Sequence, residues 1–209
     1  MAGMDLVQRW DALVGPEARR LGDDLVGRYR EEHRCYHTTE HLTVVLDLVE
    51  ELAGHAADAG AVRLAAWFHD AVYDPERGDN EERSARLAER MLADTDLPPE
   101  TIAEVARLVR LTATHAPEPG DSNGQVLCDA DLAILAAAPA DYAAYASAVR
   151  EEYAFVPEDL FAAGRAQVLT DLLALPALFH TPAARERFEG KARHNVETEL
   201  TLLGARPIP

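Results

Sequence analysis

At 209 residues the chain has room for one domain with a substantial core, and its 48% hydrophobic and 27% charged content excludes a disordered polypeptide. A formal charge of −17 excludes a nucleic-acid backbone as the main partner, because phosphate contacts there need clustered Lys and Arg. No apolar run approaches the roughly 20 residues of a membrane span, and Asp5 and Gln8 interrupt any signal-like pattern over Met1–Trp10, so a cytoplasmic protein without membrane contact is expected.

The chain reads as helical nearly throughout: Ala, Leu, Arg and Glu dominate, and no period-two alternation persists. Helices are expected over Leu6–Val14 and Pro16–Glu32, the second opening with proline where it is tolerated. Over Thr38–Leu52 the residues Leu42, Val45, Leu48, Val49 and Leu52 recur at three and four, making one apolar stripe. Ala61–Val72 is apolar nearly all round, as a buried central helix would be. Asp79-Asn80-Glu81-Glu82 has the pattern of a capping box, with Asp79 at N-cap and Glu82 at N3 of the next helix. Pro98–His115 follows, and Ala116–Gly124, rich in Pro, Gly, Asp and Asn, reads as a loop. Helices are then expected at Asp129–Ala137, Ala140–Ala154, Glu158–Leu175 and about Ala183–Leu203, before a Pro-containing tail. With no internal repeat, the expectation is a single all-α domain, a helical bundle spanning residues 1–209. Cys35 and Cys128 are too few and too far apart for a CxxC motif and read as reduced thiols.

Polar residues on these apolar faces carry the chemistry. The stretch Ala-Ala-Trp-Phe-His69-Asp70 ends a greasy helix in an imidazole and a carboxylate, and burying even a neutral polar group without a partner costs roughly 2–7 kcal/mol. A metal ion is the natural partner. His37 and His41, four apart, stack on one helix face, and the line continues through Val44 and Leu48 toward the core; they are either a metal-binding pair or, one or both, core or helix-start histidines. His69 lies on the line of Val62, Ala65 and Ala66, and Asp70 is rotated about 100° from it, so one ion near the helix end reaches both. Asp131 shares a face with Ile134, Leu135 and Ala138 and is the ligand candidate there; Asp129 either caps that helix or stands behind the ligands.

These stretches together resemble the HD superfamily of metal-dependent phosphohydrolases, with its His…His-Asp…Asp pattern on a helical bundle. Arg34-x-Tyr36-His37-x-x-x-His41, Trp-Phe-His69-Asp70-x-Val-Tyr73-Asp74, Asp79-Asn80-Glu81-x-x-Ser84-Ala85 and Asp129-Ala-Asp131-Leu-x-Ile-Leu are similar to an uncharacterised bacterial subfamily. So are Tyr142-x-x-Tyr145-x-x-x-Val-Arg150-x-Glu-Tyr153 and Gly164-Arg165, and the likeness runs from about Tyr29 to Glu199. The resemblance implies His41, His69, Asp70 and Asp131 as metal ligands. The Tyr-His-x-x-x-His phrase is shared with cyclic-nucleotide phosphodiesterases, and by that analogy His37 is the proton donor to the leaving oxygen; Thr38 stands where those enzymes usually carry asparagine.

Two imidazoles and two carboxylates suit one or two divalent transition ions (Mn, Fe, Co, Ni or Zn, with Mg also open). Asp70 would orient the attacking water or bridge a second ion. Arg34, Arg150 and Arg165 are candidate phosphate clamps or partners in intrahelical ion pairs. Asp74 stands in the position after Tyr73, Glu81 either complements its helix dipole or anchors a metal-bound water, and His115 either ends its helix or faces a pocket. The expected activity is metal-dependent hydrolysis of a phosphate ester or anhydride in a small phosphorylated substrate, a nucleotide first among them. A guanosine tetraphosphate hydrolase is the nearest alternative, although its Glu-Asp pair is only half present as Tyr73-Asp74. A non-catalytic metal- or nucleotide-binding regulator of the same fold is the alternative from another class.

Overall fold

A computed structural model describes residues 4–204, and among them every regular element is helical, as expected. The Pro-containing tail lies, from residue 205, outside the described residues. The chain divides into two compact units, Met1–Ala130 and Asp131–Pro209.

The first unit opens with α1 (Leu6–Val14), a 3-10 turn at Pro16–Ala18 and α2 (Arg19–Arg28), which ends before the expected Glu32. It continues through α3 (Thr39–Leu52), α4 (Ala59–Phe68), α5 (Asn80–Leu92), α6 (Pro99–Leu111) and α7 (Ser122–Asp131). The unit division falls at the C-terminal end of α7, so Asp131 is carried by a helix whose preceding residues all lie in the first unit.

Helix α4 is the hub, packing against α1, α3, α5 and α6. Its composition accounts for this: Ala61, Val62, Leu64, Ala65, Ala66, Trp67 and Phe68 are all buried, so small and large residues alternate around the whole circumference. Trp67 meets Trp10 of α1 edge to face at 5.3 Å, and Trp10 donates its indole N–H to the Ala18 carbonyl at 2.9 Å. The seat of Trp10 requires a glycine at position 22, because a Cβ there would fall 2.6 Å from the indole.

Several helix ends differ from the sequence expectation. Asp79 sits at the N-cap of α5 but makes no side-chain cap, and the capping box with Glu82 does not form. Arg77 takes both Asp79 oxygens at 2.7 and 2.8 Å, and Glu82 turns to Arg86 and to Arg110 of α6. Charged donors outcompete a neutral N–H for a carboxylate. Helix α6 stops at Leu111: Thr112 returns its hydroxyl to the Val109 carbonyl, and His115 adopts a left-handed φ of 50°.

The loop expected up to Gly124 ends at Asp121, which accepts the Gly124 N–H at 2.9 Å, and α7 begins there. Gly124 lies inside α7, where a Cβ would fall 2.4 Å from an Asp121 carboxylate oxygen and 2.5 Å from a Leu111 methyl, so a larger residue there would require both side chains to shift. In the second unit a 3-10 turn (Leu132–Ala136) is followed by α8 (Pro139–Glu152), α9 (Glu158–Ala174) and α10 (Pro182–Leu202). Helix α10 packs on the 3-10 turn and on α9, and Asn195 donates to the Leu135 and Ala137 carbonyls at 2.8 and 3.0 Å.

Candidate metal centre

Helix α4 ends at Phe68 rather than at the expected Val72. His69 is therefore its C-cap and Asp70 the residue after it, at the open end where the chain turns away. Three long-range bonds hold the turn. The Tyr29 hydroxyl accepts the Asp70 N–H at 3.3 Å and donates to the Trp67 carbonyl, and Ser84 of α5 takes the Val72 N–H at 3.0 Å. Farther along, Asp74 accepts the Glu76 N–H while Asn80 brackets Asp74 through its N–H and carbonyl. Asp74 thus organises the loop.

His41 stands in the first turn of α3, which Thr38 caps by accepting the Glu40 N–H. His37 precedes that cap, so the expectation that both histidines occupy one helix face does not hold for it. Val44, placed on the same inward line, is 52% exposed. His37 is nonetheless beside His41, with ring centroids 5.8 Å apart; its half-buried ring rests on Tyr73 at 4.2 Å and meets Tyr36 edge to face at 4.9 Å.

At the centre the Nε2 atoms of His41 and His69 face each other at 3.1 Å, both residues buried. One Asp70 oxygen lies 3.1 Å from His69 Nε2 and 3.5 Å from His41 Nε2. His69 Nδ1 donates to the Ala66 carbonyl at 2.8 Å, so that whenever the ring is neutral its Nε2 lone pair is turned toward His41. His41, His69 and Asp131 each bring a ligand atom within 4.8 Å of the others. Lone pairs and carboxylate oxygens converging in a buried space are the donor set of a divalent metal ion, and this cluster can hold one.

Burial alone would raise the Asp70 carboxyl, yet the charge of His69 and His37 when their imidazoles are protonated, with the hydrogen bonds that His41 and His69 then donate, holds it well below the usual carboxylate range; a bound ion would take the place of those protons. Tyr29 goes the other way. Its burial pushes the phenol up to about 12, against the opposing effect of His69 and with that of Asp70. A folded value above the ordinary 10 favours the protonated form, so this contribution is complete below pH 10 and is lost as pH rises through 12. Two units correspond to about 3 kcal/mol. Denaturant midpoints should therefore fall between about pH 9 and pH 12, and fall less in Tyr29→Phe. That variant starts about 1–3 kcal/mol less stable at neutral pH, because the Asp70 N–H loses its acceptor. An equal alkaline loss in both proteins would contradict the assignment.

The remaining candidates are placed as follows. Asp129 is fully buried inside α7, so it is not an N-cap. Glu81 is half-buried in the first turn of α5, and half-buried His115 closes the end of α6 through its backbone N–H to Leu111. Arg150 donates to Glu158 and to the Tyr153 and Val156 carbonyls, closing the end of α8. Arg165 donates to Glu199 at 2.8 Å and to the Tyr145 hydroxyl at 3.0 Å, and Tyr142 donates to the same glutamate at 2.5 Å. Both arginines are held in ion pairs, but the pairs run from α8 to α9 and from α9 to α10 and are not the intrahelical ones expected. Arg34 is buried against the main chain, a position that helical periodicity could not reveal because it lies outside any helix. Tyr29, Tyr73 and Ser84 support the site without a role foreseen for them, although Tyr73 and Ser84 stand within the motifs and Tyr29 at their margin.

No family model, curated protein or solved structure matches the chain.

Proposed function

We propose that this chain is a metal-dependent phosphohydrolase acting on a phosphate ester or anhydride in a small substrate, with nucleotides the class to test first. The observation that carries the reading is the buried convergence of His41 and His69 Nε2 on one Asp70 oxygen, with Asp131 completing the cluster. The ordered motif resemblance to the HD superfamily supplies the phosphate.

His41, His69, Asp70 and Asp131 would hold the ion, and their mixed nitrogen and oxygen donors favour Mn, Fe, Co, Ni or Zn over Mg. When bound, such an ion lowers the pKa of a water and polarises a phosphoryl oxygen. The residues themselves do the rest. Ala66 fixes the His69 tautomer through Nδ1–H and leaves Nε2 as a donor of electrons. Asp70, kept anionic by its histidine neighbours, accepts a hydrogen bond from a nucleophilic water. His37, half-buried and clasped between Tyr36 and Tyr73, holds a proton for the leaving oxygen. A cation held at the site would reverse the local field of a chain of charge −17 in favour of a phosphorylated substrate.

Purified protein should contain a transition metal and release phosphate from members of a nucleotide panel in Mn, Co or Ni, and less in Mg. Tight nucleotide binding without turnover in any metal would replace this reading with that of a non-catalytic regulator.

A further inference from the structure

The Arg34 side chain is fully enclosed, its guanidinium lying between the rings of Tyr29 at 5.1 Å and Tyr73 at 5.4 Å. Its Nη1 donates to two main-chain carbonyls, Asp70 at 2.8 Å and His37 at 3.1 Å. Nη2 reaches the Ala71 carbonyl at 3.5 Å, and Nε donates to Glu31 at 3.2 Å. Donors directed at carbonyls in this way are not presented to a substrate phosphate. The two carbonyls on Nη1 belong to the two segments that build the centre, the turn leading into α3 and the turn leaving α4. Tyr73, one of the two rings flanking the guanidinium, is also the ring on which the His37 imidazole rests.

We propose that Arg34 is a positioning residue, joining the His37 and Asp70 main chains so that the proton-holding imidazole keeps its place beside the metal-binding pair. This rests on the roles given above to His37 and Asp70. The chemistry requires a guanidinium. Its planar fork serves carbonyls on both segments while its faces stack on two aromatic rings, whereas an ammonium on a flexible stem is a point charge that stacks poorly.

The test is Arg34→Lys, read by Mn affinity of the metal-free protein in calorimetry and by kcat and KM separately on a phosphate substrate. Displacing His37 by about 1 Å is expected to lower kcat on the order of 10²-fold, with KM within about twofold. Loosening Asp70 is expected to weaken Mn binding by about tenfold or more. A rise in KM with kcat retained would show a direct phosphate contact and overturn the proposal; wild-type kcat together with wild-type Mn affinity would also overturn it. If the wild-type protein binds Mn but hydrolyses nothing, the phosphohydrolase reading fails and the Mn-affinity arm alone decides Arg34. Should Arg34→Lys not fold, Arg34→Gln is read the same way, since its amide is too short to serve both segments: a fall in kcat with weakened Mn binding supports the brace, and wild-type values of both overturn it.

Discussion

His69→Ala is expected to abolish both divalent-metal binding and the hydrolytic activity proposed above. His69 supplies one of the two facing Nε2 atoms, is 1% exposed, and has its other nitrogen committed to the Ala66 carbonyl, so no neighbouring group can replace it. Removing a residue that merely supports a ligand costs roughly 10–100-fold in metal affinity, and loss of the ligand itself should exceed that. Asp70→Ala is the companion variant, because its carboxylate lies against both imidazoles. Metal content by elemental analysis and phosphate release should fall in parallel in both, with helical content preserved by circular dichroism. Wild-type metal content and activity in Asp70→Ala would sink the metal-centre assignment.

Asp70 also predicts an acid response. Its folded pKa lies well below the ordinary value of about 3.9, so its stabilising contribution is present above that pH and disappears as pH falls through the depressed value. Asp70→Asn should flatten that part of the acid limb. An unchanged limb would mean that the imidazole contacts do not favour the ionised carboxylate.

Trp67→Ala should produce the largest loss of stability among core substitutions near the site. The ring is 1% exposed, packs edge to face on Trp10, and belongs to the helix that four others share. Large aromatic truncations in cores cost about 3–5 kcal/mol, against a total near 5–15 kcal/mol for a typical protein. At roughly 2–4 °C per kcal/mol for a chain of this size, the melting temperature should drop by about 10 °C. Because the Trp67 carbonyl also accepts the Tyr29 hydroxyl, the loss should reach the Asp70 turn and weaken Mn binding as well. A drop of under about 1 kcal/mol, within the range of surface substitutions, would show that α4 is not the hub described.

Much of the helical layout could be read directly. Helix α1 lies where its apolar pattern placed it, and α3 and α9 differ by about a residue, because a 3.6-residue period is written in the side chains themselves. The buried stripe of α3, with Leu42, Val45, Leu48, Val49 and Leu52, is likewise as read. His41 and His69 of the candidate triad were legible because imidazoles stand out against apolar neighbours, whereas Asp131 was named on a helix face that does not form: it ends α7, and a 3-10 turn follows.

What failed to show was decided by distant partners. Asp79 and Glu82 spell a capping box, but Arg77 and Arg110 offer charged donors and take both carboxylates. Ala116–Gly124 spells a loop, but Asp121 accepts the Gly124 N–H and α7 starts early, at Ser122. Apolar content continues past Phe68, yet the bonds from Tyr29 and Ser84 turn the chain out of α4 and set His69 and Asp70 at an open helix end. Arg34 carries the charge of a phosphate clamp in the sequence and becomes a main-chain brace in the fold. The sequence by itself determined the helical character, the buried hub and the residues able to hold a metal, since these depend on local period and residue chemistry. The tertiary structure alone decided where the helices end and what each polar group binds, because a donor goes to the best acceptor within reach, and reach is created by residues far away in the chain.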